Sequence, residues 1–334
     1  MYRGHTVGVV VPAYNEAGFV GDVIDGIPEY VDRIYAIDDA STDETWTEIR
    51  EAADRLNSAD RETAPVADGG VAFDRRVVPI QHEINRGAGG ALKTGYRWAL
   101  EDGVDVTSTL DADGQMDPDR LTDLLDPIVA GEADYTKGNR LAEPAFLDAM
   151  PRFRLIGNVM LSFLTKIASG YWQIADSQNG YTAISHDALD AVDIQSLYEY
   201  YGYCNELLVR LNVHDMRVAD VAMPAEYGDE ESSIDYGSYI PKVSGMLFRN
   251  FLGRLKKKYL VTGFHPLALF YLAGLATIGL TGVLLVATLV TLFTVGSALV
   301  AFATTIVSGL FATLFVLLAI SFDHAANEHL EVPA

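Results

Sequence analysis

Residues 7–16 read VGVVVPAYNE, a short apolar run that ends abruptly in Pro, Tyr, Asn and Glu. The run has the length of a buried strand. It lacks the longer apolar stretch and cleavage site of a secretory leader, so the N-terminal part is expected to stay in the cytoplasm. The same figure recurs along the next 130 residues. Apolar runs at 33–37, 76–80, 106–110 and 135–137 predict further strands, and 17–27, 42–56, 90–101 and 119–129 predict the helices between them. This alternation implies an α/β domain with a mostly parallel sheet and helices on both faces. Ligands of such sheets bind beyond the C-terminal ends of strands, where the polar residues of this chain collect. Residues 57–74, NSADRETAPVADGGVAFD, are polar and read as a surface insertion.

Charge divides the chain in two. There are 46 Asp and Glu against 24 Lys and Arg, a net charge of −22, yet residues 259–322 contain none of the four. The acidic surface repels phosphates, so nucleic acid is not an expected partner. With only seven lysines and evenly spread carboxylates, the composition suits solubility in high salt and suggests a halophilic source. Cys204 is the sole cysteine, which excludes an intrachain disulfide and a thiolate metal cluster.

The charge-free stretch is too long for one membrane crossing, at about 20 residues each, and too short for three with connections. Two helices turning near residues 294–297 fit it. Ile240, Val243, Leu247, Phe251 and Leu255 recur at helical spacing just before it, with Arg249, Arg254, Lys256, Lys257 and Lys258 on the remaining faces. An amphipathic basic helix there is expected to lie on the membrane surface. The basic cluster preceding an even number of spans predicts a multi-pass cell-membrane protein with both termini in the cytoplasm. The expected division is 1–237 catalytic domain, 238–260 juxtamembrane helix, 261–322 two transmembrane helices and 323–334 cytoplasmic tail.

Four motifs sit at strand ends. In DADGQMD, 111–117, Asp111 and Asp113 are spaced to converge on one hard cation, with Gln115 adding an amide oxygen. Mg²⁺ or Mn²⁺ takes such ligands and leaves positions for a diphosphate. In PAYNE, Pro12 shapes the turn, Tyr14 offers a ring to a base or ribose, and Glu16 an acceptor. In DDASTD, 38–43, Asp39 is expected to face the ligand, Ser41 or Thr42 to cap the next helix, and Asp43 to favour the helix dipole. In NRGAGGA, 85–91, the glycines permit close backbone approach to a ligand or to the sheet. A dinucleotide site is the rival reading, but it requires a glycine fingerprint where this chain has PAYNE.

Taken in order, PAYNE, DDASTD, NRGAGGALKTGY and DADGQMDP resemble the inverting family 2 glycosyltransferases of GT-A fold, over roughly residues 5–230. The subgroup they are most similar to is the dolichol-phosphate mannosyltransferases and other polyprenyl-phosphate glycosyltransferases. The resemblance implies that Pro12, Tyr14, Glu16, Ile37 and Asp39 hold a nucleotide-sugar. It implies that Asp111, Ala112, Asp113 and Gln115 meet the diphosphate and its Mg²⁺ or Mn²⁺, and that Arg140 of KGNR contacts phosphate. DSQNGYTA resembles the stretch where the acceptor approaches, which makes Asp176 and Gln178 candidates, with Glu206 on the following helix. Asp113, Arg140 and Asp176 are the expected catalytic group. The chain departs from the subgroup in YGDEESSIDY, 227–236, which lacks the two basic residues of an Arg-x-x-Gly-x-Ser-Lys element. It also lacks the Gln-x-x-Arg-Trp element of processive synthases, since Tyr96–Arg97–Trp98 does not reproduce it.

The implied reaction is transfer of a sugar from a UDP- or GDP-sugar to a polyprenyl or dolichyl phosphate at the bilayer. A hydroxyl acceptor on a lipid-linked oligosaccharide or glycolipid is the alternative, and it would need Asp176 or Glu206 as base. A membrane-tethered nucleotide-sugar sensor is the non-enzymatic alternative. The oligomeric state is open, a homo-oligomer among the options.

Overall fold

The computed structural model describes residues 1–63, 73–142, 152–200, 202–224, 236–295 and 298–333. They form two compact units. One comprises residues 1–250 with 329–334, the other residues 251–328.

The first unit is built on eight strands: β1 Val7–Ala13, β2 Arg33–Asp38, β3 Val77–Gln81, β4 Val106–Thr109, β5 Tyr135–Asn139, β6 Thr182–Ser185, β7 Val218–Ala222 and β8 Glu331–Pro333. Their order across the sheet is β3-β2-β1-β4-β6-β5-β7-β8. All neighbours are parallel except those of β6, which runs against both β4 and β5. The mostly parallel sheet agrees with the alternation read from the sequence. The pleat sorts side chains by period two. Val7, Val9 and Val11 of β1 join Ile34 and Ala36 of β2 in one core, while Val10 joins Tyr35 and Ile37 in the core on the opposite face.

Helices α1 Val20–Gly26, α2 Thr45–Thr63, α3 Ala88–Glu101 and α4 Leu121–Val129 connect the first five strands. α2 runs seven residues past its expected end at 56, into the stretch taken as an insertion; residues 64–72 of that stretch lie outside the described residues. The start of α2 also corrects the capping expectation. Asp43 accepts from the Thr45 N–H at 3.0 Å, whereas the Thr42 N–H donates to the Asn15 side chain at 2.8 Å and the Ser41 hydroxyl accepts from the Asn15 N–H at 2.9 Å. Ser41 and Thr42 therefore stitch DDASTD to PAYNE, where Asn15 sits at a positive φ of 57°.

The glycines of NRGAGGALKTGY serve packing against the chain itself. A Cβ on Gly89 would lie 2.3 Å from the Tyr198 carbonyl oxygen, and one on Gly95 would lie 2.3 Å from Val10 Cγ1. Helix α3 thus rests directly on the central strand, as the sheet alternative of the close-approach reading requires.

Later helices are α5 Arg152–Ser169, α6 His186–Ala191, α7 Tyr203–Val213 and α8 Tyr236–Lys256. On α8 the expected apolar face is present: Val243, Leu247, Phe251 and Leu255 are all buried, while the side chain of Ile240 lies outside the described residues.

The second unit contains two long helices, α9 Leu267–Val295 and α10 Leu299–Asn327. They pack antiparallel, since contacts pair Gly274 with Val316, Thr281 with Ser308 and Thr288 with Thr305. Both are long and apolar enough to cross a membrane. Most of their large apolar side chains are exposed, which a core helix of a soluble protein would not tolerate. The first span starts later than expected, because residues Lys257–Thr262 form a π-helical turn. Arg254, assigned above to the exposed basic faces, is instead fully buried and gives two bonds to Asp323, at 2.9 and 2.7 Å. Residues 323–333 are not a free tail: α10 continues to Asn327 and β8 joins the sheet of the first unit.

Candidate active site

Parallel strands β1 and β4 lie side by side, with Val10 opposite Thr109, so DADGQMD emerges beside PAYNE at one sheet end. A Cβ on Gly114 would touch Phe19, which follows PAYNE. Next to them opens a cavity of about 190 Å³ lined by Asp111, Asp113, Gln115, Arg140, Gln178 and Gly180, among others. Four strand-end or loop segments, far apart in sequence, therefore converge on one cleft.

Asp111 and Asp113 face this cleft. Burial, and then the charge of Asp113, push the Asp111 carboxyl up to about 7, with Arg140 and Lys137 acting against them. Burial raises Asp113 as well. Two carboxylates in a partly dehydrated place destabilise each other's charge, and a divalent cation relieves that strain. Space is kept for one: a Cβ on Gly180 would sit 3.0 Å from Asp111 Oδ2. Two hard oxygens with Gln115 nearby fit Mg²⁺ or Mn²⁺, with the remaining positions left to phosphate and water. Ala112 between them is buried and can offer only backbone.

Arg140 follows β5 on the opposite side of the cleft. Its Nε donates to Asp176 Oδ2 at 2.6 Å, its Nη2 to Oδ1 at 3.2 Å, and its backbone N–H to Oδ2 at 3.3 Å. Asp176 is 0% exposed. Burial works to raise its carboxyl, but the adjacent Arg140 guanidinium and its hydrogen bonds prevail, and it lies below the usual carboxylate range. The structure thus sets Asp176 against Arg140, with both carboxylate oxygens engaged by the guanidinium and the backbone N–H, an arrangement that favours holding Arg140 over taking up a proton.

Glu206 is also engaged within the protein. It is buried on α7, where it pairs with Arg210 at 2.7 Å and accepts from the Tyr198 N–H at 2.8 Å. It is not among the residues lining the cleft. Gln178 does line it, with its Nε2 on the Ser177 hydroxyl at 2.9 Å.

Among the nucleotide candidates, Tyr14 presents its ring, 47% exposed, and Pro12 and Glu16 are half-buried. Ile37 is 0% exposed and sits in a strand paired on both sides, opposite Pro12 and Ile80. Its side chain belongs to the core, so, like Ala112, it can offer only backbone. Asp39 is 2% exposed, and its carboxylate faces inward. It pairs with His82 Nδ1 at 2.6 Å and accepts from the N–H groups of Arg86 at 2.9 Å and Gly87 at 2.7 Å. Gly87 takes a positive φ of 78° there. Asp39 thus shapes the NRGA turn.

Two residues were not singled out from the sequence. Lys137, fully buried on β5, donates to the Asn179 carbonyl oxygen beneath the carboxylate pair, and its charge acts on both Asp111 and Asp176. A lysine inside a predicted buried strand, three residues before Arg140 in KGNR, was the available signal. Gly138 beside it is required, because a Cβ would lie 2.6 Å from Asn179 Nδ2.

Comparison with known proteins agrees with this geometry. The model of the family "Glycosyl transferase family 2" matches residues 8–193. A UDP-N-acetylglucosamine–dolichyl-phosphate N-acetylglucosaminyltransferase of Methanococcus voltae is 31% identical over 220 residues, covering 66% of this chain and 85% of its own. An undecaprenyl-phosphate mannosyltransferase of Micrococcus luteus is 28% identical over 223 residues, covering 64% and 80%. Among solved structures, glucosyl-3-phosphoglycerate synthase of Mycobacterium tuberculosis, in complex with Mn²⁺, UDP and phosphoglyceric acid, superposes with a TM-score of 0.50 at 19% identity, covering 75% of this chain and 78% of that one. The last match bears on the fold alone, and it is a GT-A glycosyltransferase fold.

Proposed function

The chain belongs to glycosyl transferase family 2, and on that premise we propose that it moves a sugar from a nucleotide-sugar to a polyprenyl or dolichyl phosphate at a membrane. One observation carries the choice of acceptor: Asp176 and Glu206, the candidate bases for a hydroxyl acceptor, are both buried and held in ion pairs, while Asp111 and Asp113 in the cleft are assigned in this reading to the cation. A phosphate acceptor needs no base. Its second pKa is about 6, so it is an anion near neutral pH. The relatives from Methanococcus and Micrococcus, named for dolichyl-phosphate and undecaprenyl-phosphate acceptors, support the same reading.

In this proposal Tyr14, Pro12 and Glu16 hold the nucleoside, with Asp39 setting the adjoining turn. Asp111, Asp113 and Gln115 hold Mg²⁺ or Mn²⁺, which neutralises charge on the departing diphosphate. Arg140, fixed by Asp176, adds a guanidinium to the same oxygens, and Lys137 contributes positive potential from below. An acceptor phosphate oxygen forms the bond to the anomeric carbon as the bond to the diphosphate breaks, with inversion, and the nucleoside diphosphate leaves. Gln178, next to Asp176, is placed on the acceptor side.

The proposed arrangement puts α9 and α10 across the bilayer as a hairpin, α8 at its surface, and residues 1–237 in the cytoplasm. Lys256, Lys257 and Lys258 just before the first span support this orientation. So does the membership of β8, after the second span, in the same sheet as β1.

The test is to incubate membranes containing the protein with labelled UDP- and GDP-sugars, then extract the lipids. Label released from the lipid by mild acid is the expected result. Acid-stable lipid label would favour the glycolipid alternative.

A further inference from the structure

The carbonyl and carboxylate groups of the sheet edge reach the loop that holds Arg140. Residues 170–181 form neither helix nor strand, so their course depends on individual hydrogen bonds. β8 pairs in parallel with β7, placing Val218 opposite Glu331 and Asp220 opposite Pro333, and Leu330 is buried in the core beneath. From these two strands, two carboxylates hold alternate N–H groups of the loop. Glu331, itself buried, accepts from Gln173 at 2.5 Å, and Asp220 accepts from Ala175 at 3.1 Å. Asp220 also accepts from the Asn139 side chain at 2.6 Å. The residue after Ala175 is Asp176 and the residue after Asn139 is Arg140. Both partners of the ion pair in the cleft are therefore adjacent to residues secured at this edge.

We propose that Glu331 is a positioning residue for sugar transfer: by holding the Gln173 N–H it fixes the loop that sets Asp176 and, through it, the guanidinium of Arg140. The inference rests on the reading of Arg140 as a phosphate-facing group. Its physical basis is the sensitivity of catalysis to placement, where a shift of about 1 Å can cost on the order of a hundredfold in rate. Because β8 follows both long helices in the chain, the site is completed only after they have been made. Glu331 is a carboxylate, and its bond to an N–H is charge-assisted, yet what the loop requires of it is an oxygen at the right distance. A glutamine keeps that oxygen; an aspartate keeps the charge and withdraws the oxygen by one methylene.

The test uses the purified full-length enzyme with Mn²⁺ and dolichyl phosphate, supplied with UDP-N-acetyl[¹⁴C]glucosamine in one arm and GDP-[¹⁴C]mannose in the other. Glu331→Ala and Glu331→Asp are expected to lower kcat about tenfold, with the KM for the nucleotide-sugar nearly constant, and Glu331→Gln to recover most of the loss. Arg140→Ala is run beside them. An Arg140→Ala enzyme with normal kcat would overturn the reading of Arg140 itself. An inactive Arg140→Ala enzyme beside a Glu331→Ala enzyme of normal kcat would overturn the present inference alone. If Glu331→Ala fails to fold, the Asp and Gln variants decide, and equal losses in both would overturn it.

Discussion

Arg140 lines the cleft of Asp111 and Asp113 while its guanidinium is clasped from behind by Asp176, 2.6 Å from Nε to Oδ2. The carboxylate is completely buried and the arginine side chain is 24% exposed. In the proposed reaction, the guanidinium that would meet the departing diphosphate is thereby fixed before substrate arrives, which would limit reorganisation.

Removing one partner of such a pair leaves an uncompensated charge. Asp176→Ala is expected to destabilise the first unit by about 3–5 kcal/mol, read by denaturant unfolding. Asp176→Asn should slow transfer through lost positioning without changing the shape of the pH–rate profile, because no proton passes through this group. The folded-state carboxyl is depressed, so its stabilising contribution is present above the ordinary carboxylate pKa of about 4 and is lost as pH falls through the lower folded value. Unfolding measured between pH 5 and pH 2 should therefore show a smaller pH dependence in Asp176→Asn than in the unaltered protein.

Much of this site was legible in the sequence, and the part that was not has a common cause. The strand-end motifs are local: DADGQMD announces its carboxylates by their spacing and by the strand before it. The partner of Arg140 lies 36 residues away, beyond helix α5, and no periodicity links the two. Asp39 sits in a polar strand-end turn much as Tyr14 does, yet only the bonds from Arg86 and Gly87 reveal that its carboxylate faces inward. β8 has three residues and finds its mate only after two long apolar helices. Most of the region 227–236, where the family resemblance is weakest, lies outside the described residues, which resume at Tyr236.

If Asp111 holds the proposed cation, metal binding is linked to pH. Its folded-state carboxyl is raised to about 7, so below that pH a proton competes with the cation. The affinity for Mn²⁺, measured by titration calorimetry in the presence of UDP, should rise as pH increases to about 7 and level off above it. The sign for stability is opposite to that of Asp176: a raised carboxyl makes the metal-free protein less stable as pH rises from about 4 to about 7. Mn²⁺ should recover that loss, and recover less of it in Asp113→Ala.

The hairpin makes a topological prediction. A reporter placed after Pro333 should read as cytoplasmic, because β8 pairs with β7 of the unit that carries the cleft. An extracellular reading would contradict both the span count and the assignment of β8 to that sheet.

The acidic surface predicts a response to salt. With a net charge of −22, thermal stability of the protein should increase as KCl is raised towards 1 M, where the screening length falls to about 3 Å. A midpoint that stays constant or falls over this range would remove the halophilic interpretation.

Acceptor chemistry is the centre of the account, and a matched pair of lipids tests it directly. Purified enzyme with Mn²⁺ and a labelled nucleotide-sugar is offered dolichyl phosphate or, separately, dolichol of the same chain length. The expected result is transfer to the phosphate alone, abolished by excess EDTA and by Asp113→Ala, with a rate that is flat with pH above the acceptor's second ionisation. Transfer to the free hydroxyl of dolichol at a comparable rate would contradict it.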